Sequence, residues 1–305
     1  MLQFLPGPIR ATLSLTLYAL NTFFWTPMLF IIAFLKLIIP VQRWRKMCNV
    51  LLTGIANNWI AVNNFNHWLT NKIRWDVSGI DDLKRHEWYM VLSNHQSWVD
   101  ILVLQKIFYR KIPFLKFFIK KELIWVPLLG LAWWALDFPF MKRYSAAFVK
   151  KHPHLKGKDM ETTRKACEKF KTIPVSIMNF AEGTRFTAEK HRKQESPHKN
   201  LLRPRAGGTA FVFQVMGEQI YRILDVTIAY PGGAKSFWQF LRGKVSEVTV
   251  RVKSYPVHKD LLGDYFNDQQ YRERIQAWLN ARWEEKDGQL ERLLSARALP
   301  STGMS

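Results

Sequence analysis

The chain is 305 residues long, 48% of them hydrophobic, and carries 45 Lys and Arg residues against 24 Asp and Glu residues, a formal net charge of +21. A disordered polar chain is excluded, because a chain with this apolar fraction can bury enough surface to offset the entropy lost on ordering. The length suits one large domain or two small ones. Such a basic protein usually binds phosphate, on nucleic acid, on anionic lipid or on a phosphorylated substrate.

The excess positive charge is concentrated in one third of the chain. Residues 106–205 contain 23 Lys and Arg residues against 8 Asp and Glu residues. The two cysteines, Cys48 and Cys167, are far apart in sequence, which excludes a disulfide framework, and neither has a partner at zinc-ligand spacing. The cysteines therefore indicate no zinc site and predict a main body in reducing cytosol.

The N-terminal region contains a long uncharged segment. Residues 11–35 carry no charged side chain, and a helix of this length could cross a bilayer core of ~30 Å, although Pro27 could kink or break it. Only Arg10 precedes the segment, whereas four basic residues follow it: Lys36, Arg43, Arg45 and Lys46. This asymmetry predicts a membrane protein, in the inner or plasma membrane if the source is bacterial, whose remaining domain lies on the cytoplasmic face.

The next segment, residues 47–69, is predicted to form an amphipathic helix. Its apolar residues recur at helical spacing, its other faces are rich in Asn, and Trp59 and Trp68 suit a headgroup boundary. A spanning helix, a re-entrant hairpin in one leaflet and an ordinary core-facing helix all remain open. We predict a membrane-associated segment of two helices over residues 1–71.

The rest of the chain alternates predicted strands with predicted helices. Strands are predicted over residues 73–77, 88–92, 111–119, 138–141, 175–180, 224–230 and 248–255. Helices are predicted from Trp98 to Phe108 and over residues 159–171, 208–216 and 266–285. The alternation favours an α/β domain.

The sharpest cluster of polar side chains is Asn94-His95-Gln96-Ser97-Trp98-Val99-Asp100, at a predicted strand-to-helix junction. On a turn that leads into a helix, the Asp100 carboxylate can fold back to His95, fix its tautomer and raise the basicity of its other nitrogen. A histidine held in this way is a competent general base. The alternative is a surface histidine beside a carboxylate that the helix dipole favours.

Two further segments suggest a phosphate site. Residues 180–185 read Phe-Ala-Glu-Gly-Thr-Arg, in which a strand ends, a glycine turns the chain, and a hydroxyl and a guanidinium follow. Exposed backbone N–H groups beside an Arg can hold phosphate. Residues 140–143 read Phe-Met-Lys-Arg and place two cations at the end of a short strand, and Lys120 and Lys121 add two more.

Taken together, these segments resemble the glycerolipid acyltransferase superfamily, whose best-known members are the 1-acylglycerol-3-phosphate O-acyltransferases. Its first block is Asn-His-x4-Asp, which His95 and Asp100 match. Its second block has a Phe-Ile-x-Arg core, here with Met141 in place of Ile and Asp137 where Gly is common. Its third block is Phe-Pro-Glu-Gly-Thr-Arg, here with Ala181 in place of Pro.

The fourth block of the superfamily is usually a strand containing Val-Pro. Here residues 224–231 read Leu-Asp-Val-Thr-Ile-Ala-Tyr-Pro, which is similar to a lysophospholipid acyltransferase subgroup, as is Leu-Arg-Pro-Arg over residues 202–205. The resemblance covers residues 75–256. It implies a single α/β acyltransferase domain over residues 72–256, with a central mixed sheet flanked by helices, followed by a C-terminal helical extension over residues 257–305.

The resemblance implies acyl transfer from a thioester, acyl-CoA or acyl-acyl-carrier protein, to the sn-2 hydroxyl of a lysophospholipid. The foremost acceptor is 1-acylglycerol-3-phosphate, which would give phosphatidic acid; lysophosphatidylinositol and lysophosphatidylglycerol are alternatives. His95 would remove the hydroxyl proton and Asp100 would orient His95. The hydroxyl would attack directly, without an acyl-enzyme, and the reaction would need no metal and no cofactor. The implied headgroup site comprises Lys121, Arg143, Glu182, Gly183, Thr184 and Arg185, with Glu182 orienting Arg143 or Arg185.

Two other classes of protein compete with this interpretation. A nucleic-acid-binding protein is disfavoured, because the sequence has no helix-turn-helix, zinc-finger or RNA-recognition signature and because an uncharged membrane-length segment has no use there. A non-catalytic protein whose cations bind an anionic membrane remains the second alternative. An anionic membrane is also an expected partner of the enzyme.

Overall fold

The computed structural model describes residues 1–141, 170 and 173–295. The helices in these residues are α1 (Gly7–Ile38), α2 (Gln42–Thr70), α3 (Val99–Phe108), α4 (Leu129–Ala135), α5 (Ala188–Lys193), α6 (Gly207–Met216), α7 (Phe237–Leu241) and α8 (Gln269–Ser295). The strands are β1 (Arg74–Ser78), β2 (Tyr89–Ser93), β3 (Leu115–Phe117), β4 (Ile119–Lys120), β5 (Phe140–Met141), β6 (Ser176–Phe180), β7 (Arg222–Ala229) and β8 (Glu247–Pro256). The helix predicted over residues 159–171 lies outside the described residues, apart from Phe170.

The described strands form a six-stranded sheet in the order β1-β8-β7-β2-β6-β3 and a separate pair, β4-β5. Neighbours in the large sheet are parallel, except for the antiparallel β7 and β8. Side chains of central β2 alternate between two cores: Met90 and Leu92 enter one, Tyr89 and Val91 the other. The predicted mixed sheet flanked by helices is confirmed.

The C-terminal helix α8 completes the core on one face of the sheet. Its buried stripe is Tyr271, Ile275, Leu279 and Trp283, which packs with α6 in the same cluster. The helix begins three residues later than the predicted start at residue 266 and continues to Ser295. Helix α8 therefore packs against the core of the α/β domain.

Two predicted strands begin later in the structure than expected, each after a proline. The strand predicted over residues 111–119 appears as β3, which begins after Pro113 and lies in the large sheet, and as β4, which lies in the two-stranded sheet. The strand predicted over residues 138–141 is reduced to β5 after Pro139. Proline lacks the N–H that a strand ladder needs, so it usually marks a strand's first residue or its edge.

The N-terminal helices α1 and α2 pack as an antiparallel hairpin with a polar interface. Asn21 donates to Asn63 Oδ1 at 2.8 Å, and Asn66 donates to the Ser14 carbonyl at 3.0 Å. The outer face of α1 is apolar and exposed, with Leu15, Leu20, Phe23, Phe24, Met28, Ile31 and Phe34. Helices that pack in lipid have small and polar residues at the interface between them and apolar residues on their outer faces.

Helices α1 and α2 correspond to the two predicted membrane helices. Among the described helices, α1 alone is long and apolar enough to cross a bilayer. It is continuous through Pro27. Both of its ends are bound to the rest of the protein: Arg10 donates to the Arg242 carbonyl at 2.9 Å, and Lys36 forms a 2.5 Å ion pair with Asp137. Helix α1 therefore lies along the α/β domain.

Candidate active site

The carboxyl ends of three neighbouring strands meet at one edge of the sheet. Ser93, the last residue of β2, pairs with Phe180 of β6 and with Val226 of β7. The Asn94–Asp100 turn follows β2, the Glu182–Arg185 turn follows β6, and Tyr230 follows β7. Ligands of open α/β sheets bind outside the carboxyl ends of the strands, so the pairing of β2 with β6 and β7 builds a candidate site from three distant segments.

Asn94 anchors the turn that carries His95. Its side-chain amide donates to the Ile228 carbonyl at 2.9 Å, and its side-chain oxygen accepts the Ile228 N–H at 2.8 Å. Asn94 has no exposed surface. Its two hydrogen bonds continue the pairing of β2 with β7 one residue beyond the end of β2. A backbone anchored in this way gives the next side chain, His95, a fixed starting position.

His95 and Asp100 make the contact that their spacing predicts. His95 Nδ1 lies 2.9 Å from Asp100 Oδ2, and the same oxygen accepts the backbone N–H groups of Gln96 at 2.6 Å and Ser97 at 2.9 Å. Asp100 has no exposed surface. A carboxylate can be buried when hydrogen bonds replace its hydration, and here the turn before α3 supplies them.

The imidazole of His95 is also fixed from the side. Its ring stacks on Phe180, with centroids 3.8 Å apart and an interplanar angle of 13°. The side chain keeps 12% of its surface exposed. Because Asp100 occupies Nδ1, Nε2 is the nitrogen that can meet a ligand, and the described part of the chain gives Nε2 no hydrogen-bond partner.

Glu182 has partners that differ from those expected. One carboxylate oxygen accepts the His95 N–H and the other accepts the Leu202 N–H, each at 2.9 Å. Burial raises the pKa of Glu182 to about 7, against the opposing effect of these two hydrogen bonds. With both oxygens used by backbone amides and 1% of its surface exposed, Glu182 braces the His95 turn and does not orient Arg185.

The turn after Glu182 presents a hydroxyl and a guanidinium to the surface. Gly183 has a φ of 70°, a conformation that glycine adopts without strain. Thr184 accepts a hydrogen bond from Lys190 of α5 at 2.7 Å, and the exposed Arg185 guanidinium lies 4.7 Å from the centre of the Trp98 ring. Trp98 belongs to the His95 turn, so Arg185 is held at the same edge as the dyad.

Two of the predicted headgroup residues have no described contact with the dyad. Arg143 lies outside the described residues, as does Lys142. Lys121 is exposed at the start of a short 3₁₀ helix, Lys121–Trp125. The β4–β5 pairing places Lys120 opposite Met141, the last described residue before that segment.

Sequence reasoning gave no role to three residues that the structure places in or near the site. The Tyr230 hydroxyl donates to Asp100 Oδ1 at 2.6 Å. Lys286 of α8 is fully buried and forms an ion pair with Asp225 of β7. Asp225 and Tyr230 lie in the fourth block, where they indicated only a similarity to a subgroup of the superfamily. Lys286 lies in a region without a recognisable motif. Among the described residues, no cluster of His, Cys, Asp and Glu could hold a metal ion.

Comparison with curated proteins identifies relatives that match most of this chain. Mouse 1-acyl-sn-glycerol-3-phosphate acyltransferase epsilon is 26% identical over 220 residues, which cover 67% of this chain and 57% of the relative. The 2-acyl-1-lysophosphatidylinositol acyltransferase of Saccharomyces cerevisiae is 26% identical over 258 residues, 70% of this chain and 63% of the relative. The chain thus spans between about half and two thirds of the length of these relatives.

A solved structure shares the fold. The 1-acyl-sn-glycerophosphate (LPA) acyltransferase PlsC of Thermotoga maritima aligns with a TM-score of 0.53 at 16% identity, over 94% of this chain and 97% of that one. The sequence model of the family described as Acyltransferase matches residues 74–230, just over half of the 305 residues. That span contains the His95 turn, the Glu182–Arg185 turn and β7, the three segments that build the edge described above, and the chain belongs to the Acyltransferase family.

Proposed function

We propose that this protein is a membrane-bound O-acyltransferase that moves a fatty acyl chain from a thioester to the sn-2 hydroxyl of a lysophospholipid. The foremost acceptor is 1-acylglycerol-3-phosphate, and the product is then phosphatidic acid. The observation that carries the proposal is the 2.9 Å contact between His95 Nδ1 and Asp100, which leaves Nε2 available to a ligand. Family membership and the names of both relatives support the same reaction class.

The proposed reaction needs one general base. Nε2 of His95 accepts the proton of the acceptor hydroxyl while the hydroxyl oxygen attacks the thioester carbonyl carbon. The C–S bond then breaks, and the departing thiolate of CoA or of the carrier protein takes the proton back from His95. The Asp100 carboxylate stabilises the imidazolium that exists between these two steps.

Arg185 is the proposed contact for the acceptor phosphate. Its guanidinium can bind two phosphate oxygens at once, and its position over Trp98 keeps it beside the dyad. Glu182 does not oppose the phosphate at the surface, because its carboxylate is buried and bound to backbone amides. The hydroxyl of Thr184 and the ammonium of Lys190 extend the polar surface next to Arg185.

Replacing Arg185 with alanine is expected to raise the KM for 1-acylglycerol-3-phosphate by about 10- to 100-fold and to change kcat less. A charge-assisted hydrogen bond is worth about 1.5–3 kcal/mol, and a loss of uniform binding appears mainly in KM. Steady-state kinetics at saturating donor would measure the effect. Arg192→Ala, which removes an exposed cation on the nearby helix α5, is the matched control and should leave KM nearly unchanged. An equal rise of KM in both variants would contradict a specific contact.

Membrane association is proposed from the apolar surface of the described residues. Besides the outer face of α1, the segment around α4 exposes Trp125, Leu131 and Trp134, and Trp125 is 85% exposed. Exposed aromatic and aliphatic patches of this kind mark contact with lipid or another protein. Since both ends of α1 are bound to the α/β domain, we favour a hairpin that lies within one leaflet over a spanning helix, with the domain on the cytoplasmic face. An anionic leaflet and an acidic donor would both suit the positive charge of the chain.

The donor and the acceptor are tested together by a thioester-release assay on the detergent-purified full chain. Oleoyl-CoA and oleoyl-acyl-carrier protein would each be offered with 1-oleoylglycerol 3-phosphate, lysophosphatidylinositol and lysophosphatidylglycerol. We expect the fastest release with 1-oleoylglycerol 3-phosphate. Faster release with lysophosphatidylinositol would support the activity in the name of the yeast relative. Binding to anionic vesicles without thioester release from any pair would support the non-catalytic alternative.

A further inference from the structure

Strand β7 leads to a buried tyrosine that contacts the dyad from the side opposite His95. The Tyr230 hydroxyl lies 2.6 Å from Asp100 Oδ1, whereas His95 and the two backbone amides use Oδ2. Tyr230 is 2% exposed, and Asp100 has no exposed surface. Among the described residues, Tyr230 is the one donor to Oδ1.

We propose that Tyr230 is a positioning residue that holds the Asp100 carboxylate in the orientation that His95 requires. The carboxylate can rotate about its Cβ–Cγ bond, and its three other donors all converge on a single oxygen. A donor on the second oxygen fixes the plane of the group, so that Oδ2 stays directed at Nδ1. The inference rests on the proposed function, because it assigns Tyr230 a role in the reaction that His95 catalyses.

The surroundings of Tyr230 suit a fixed donor. Residue 230 directly follows β7, which is paired on both sides, with parallel β2 and antiparallel β8, so its backbone has little freedom. Burial and the neighbouring Asp100 carboxylate hold the pKa of Tyr230 well above its ordinary value, which keeps the phenol protonated and able to donate. Groups on rigid, paired elements place a site more accurately than groups on loops.

Other ionisable groups also lie near the dyad, and their effects must be separated from the effect of Tyr230. Glu182, after β6, accepts the His95 N–H. Lys286, from α8, acts on Glu182 through its charge. Neither group bonds to Asp100 Oδ1, so a change confined to the Tyr230 hydroxyl leaves both in place.

Replacing Tyr230 with phenylalanine is expected to lower kcat about tenfold and to leave the KM for the acceptor unchanged. One hydrogen bond to a charged group has this size, and Tyr230, with 2% of its surface exposed, offers a substrate almost no contact. Without the second donor the carboxylate can turn about its Cβ–Cγ bond, Oδ2 is directed at Nδ1 in only part of the molecules, and the loss therefore appears in kcat. The assay uses 1-oleoylglycerol 3-phosphate with oleoyl-CoA, or whichever pair turns over best in the panel above.

The matched control is Tyr89→Phe. Tyr89 is also a fully buried tyrosine of the central sheet, and its hydroxyl bonds to Glu87 and to the Lys84 N–H, away from the dyad. Tyr89→Phe therefore reports the general cost of removing a buried hydroxyl and should leave kcat nearly unchanged. A kcat for Tyr230→Phe that matches the kcat of Tyr89→Phe, or a loss that appears in the KM for the acceptor, overturns the proposal.

A second readout does not depend on turnover. In the proton NMR spectrum, a histidine Nδ1–H bonded to a carboxylate resonates far downfield, and the signal that His95→Ala removes is that of His95. This signal should shift or broaden in Tyr230→Phe and stay in place in Tyr89→Phe, and an unmoved signal in Tyr230→Phe overturns the proposal even if every donor and acceptor pair proves inactive. Should Tyr230→Phe fail to fold, 3-fluorotyrosine at position 230 keeps the hydroxyl and donates more strongly. With that analogue the signal should also shift, and an unmoved signal overturns the proposal.

Discussion

Replacement of His95 with alanine is expected to reduce the rate of thioester release in the presence of acceptor by ~10²–10⁴-fold, the usual contribution of a positioned general base. The physical reason is specific to this geometry. Asp100 and Phe180 fix the imidazole so that, in the proposed reaction, Nε2 alone meets the acceptor hydroxyl. Turnover of the purified variant in detergent, at saturating donor and acceptor, would measure the loss.

The control for this prediction is His86→Ala, which removes an exposed histidine in the loop before β2 and should retain full activity. Both variants should remain in the membrane fraction, since the proposed lipid contacts lie on α1 and around α4. Asp100→Asn is a useful companion, because it keeps the shape of the side chain while removing the charge that stabilises the imidazolium. A His95→Ala protein with the turnover of the unmodified chain would contradict the proposed mechanism.

The dyad could be predicted from sequence because its geometry is local. Four residues separate His95 from Asp100 on a turn into α3, and the carboxylate finds its backbone partners, Gln96 and Ser97, within the same turn. The alternation of strands and helices was equally readable, since periodicity depends on neighbouring residues. The strand predicted over residues 111–119 was wrong in extent, because the chain joins the large sheet only after Pro113 and the last part of the segment pairs with β5.

The remainder of the site could not be predicted because its contacts join distant segments. Glu182 was interpreted as a partner of Arg143 or Arg185 from its neighbours in sequence, whereas its second oxygen binds Leu202, 20 residues away. Tyr230 reaches Asp100 across 130 residues, and only the strand order β7-β2-β6 brings the two together. Strand order is a property of the whole fold, so no local pattern announces it.

Lys286 is the clearest case of a missed residue. Lysine is almost never fully buried unless it is paired, so a lysine in a polar helix is interpreted as exposed by default. Its partners on β7 lie about 60 residues earlier: the Asp225 carboxylate, the Val226 carbonyl at 2.6 Å and, more weakly, the Thr227 hydroxyl at 3.5 Å. Burial lowers the pKa of Lys286, and the neighbouring Asp225 opposes that effect. The ion pair thus attaches α8 to the strand that ends at Tyr230.

Replacing Lys286 with methionine is expected to destabilise the folded protein by about 3–5 kcal/mol, because it leaves the Asp225 carboxylate buried without its partner. Methionine keeps most of the length of the side chain, so loss of packing contributes little. Urea-induced unfolding of the detergent-solubilised chain, with refolding verified, would measure the change in the free energy of unfolding.

Two further variants separate the buried charge from the loss of a lysine as such. Lys253→Met breaks a half-exposed pair with Glu285 at 3.6 Å and should cost about 0–1 kcal/mol, since exposed ion pairs contribute little. The double variant Lys286→Met/Asp225→Asn removes both buried charges and should recover part of the stability lost in Lys286→Met, because the unpaired carboxylate is the main cost. Two results would contradict this account: a loss of stability in Lys286→Met no larger than that in Lys253→Met, or a double variant less stable than Lys286→Met. Either result would mean that the buried Asp225 carboxylate does not need Lys286 as its partner. Attachment of α8 to β7 would then have to come from the apolar stripe of Tyr271, Ile275, Leu279 and Trp283 alone.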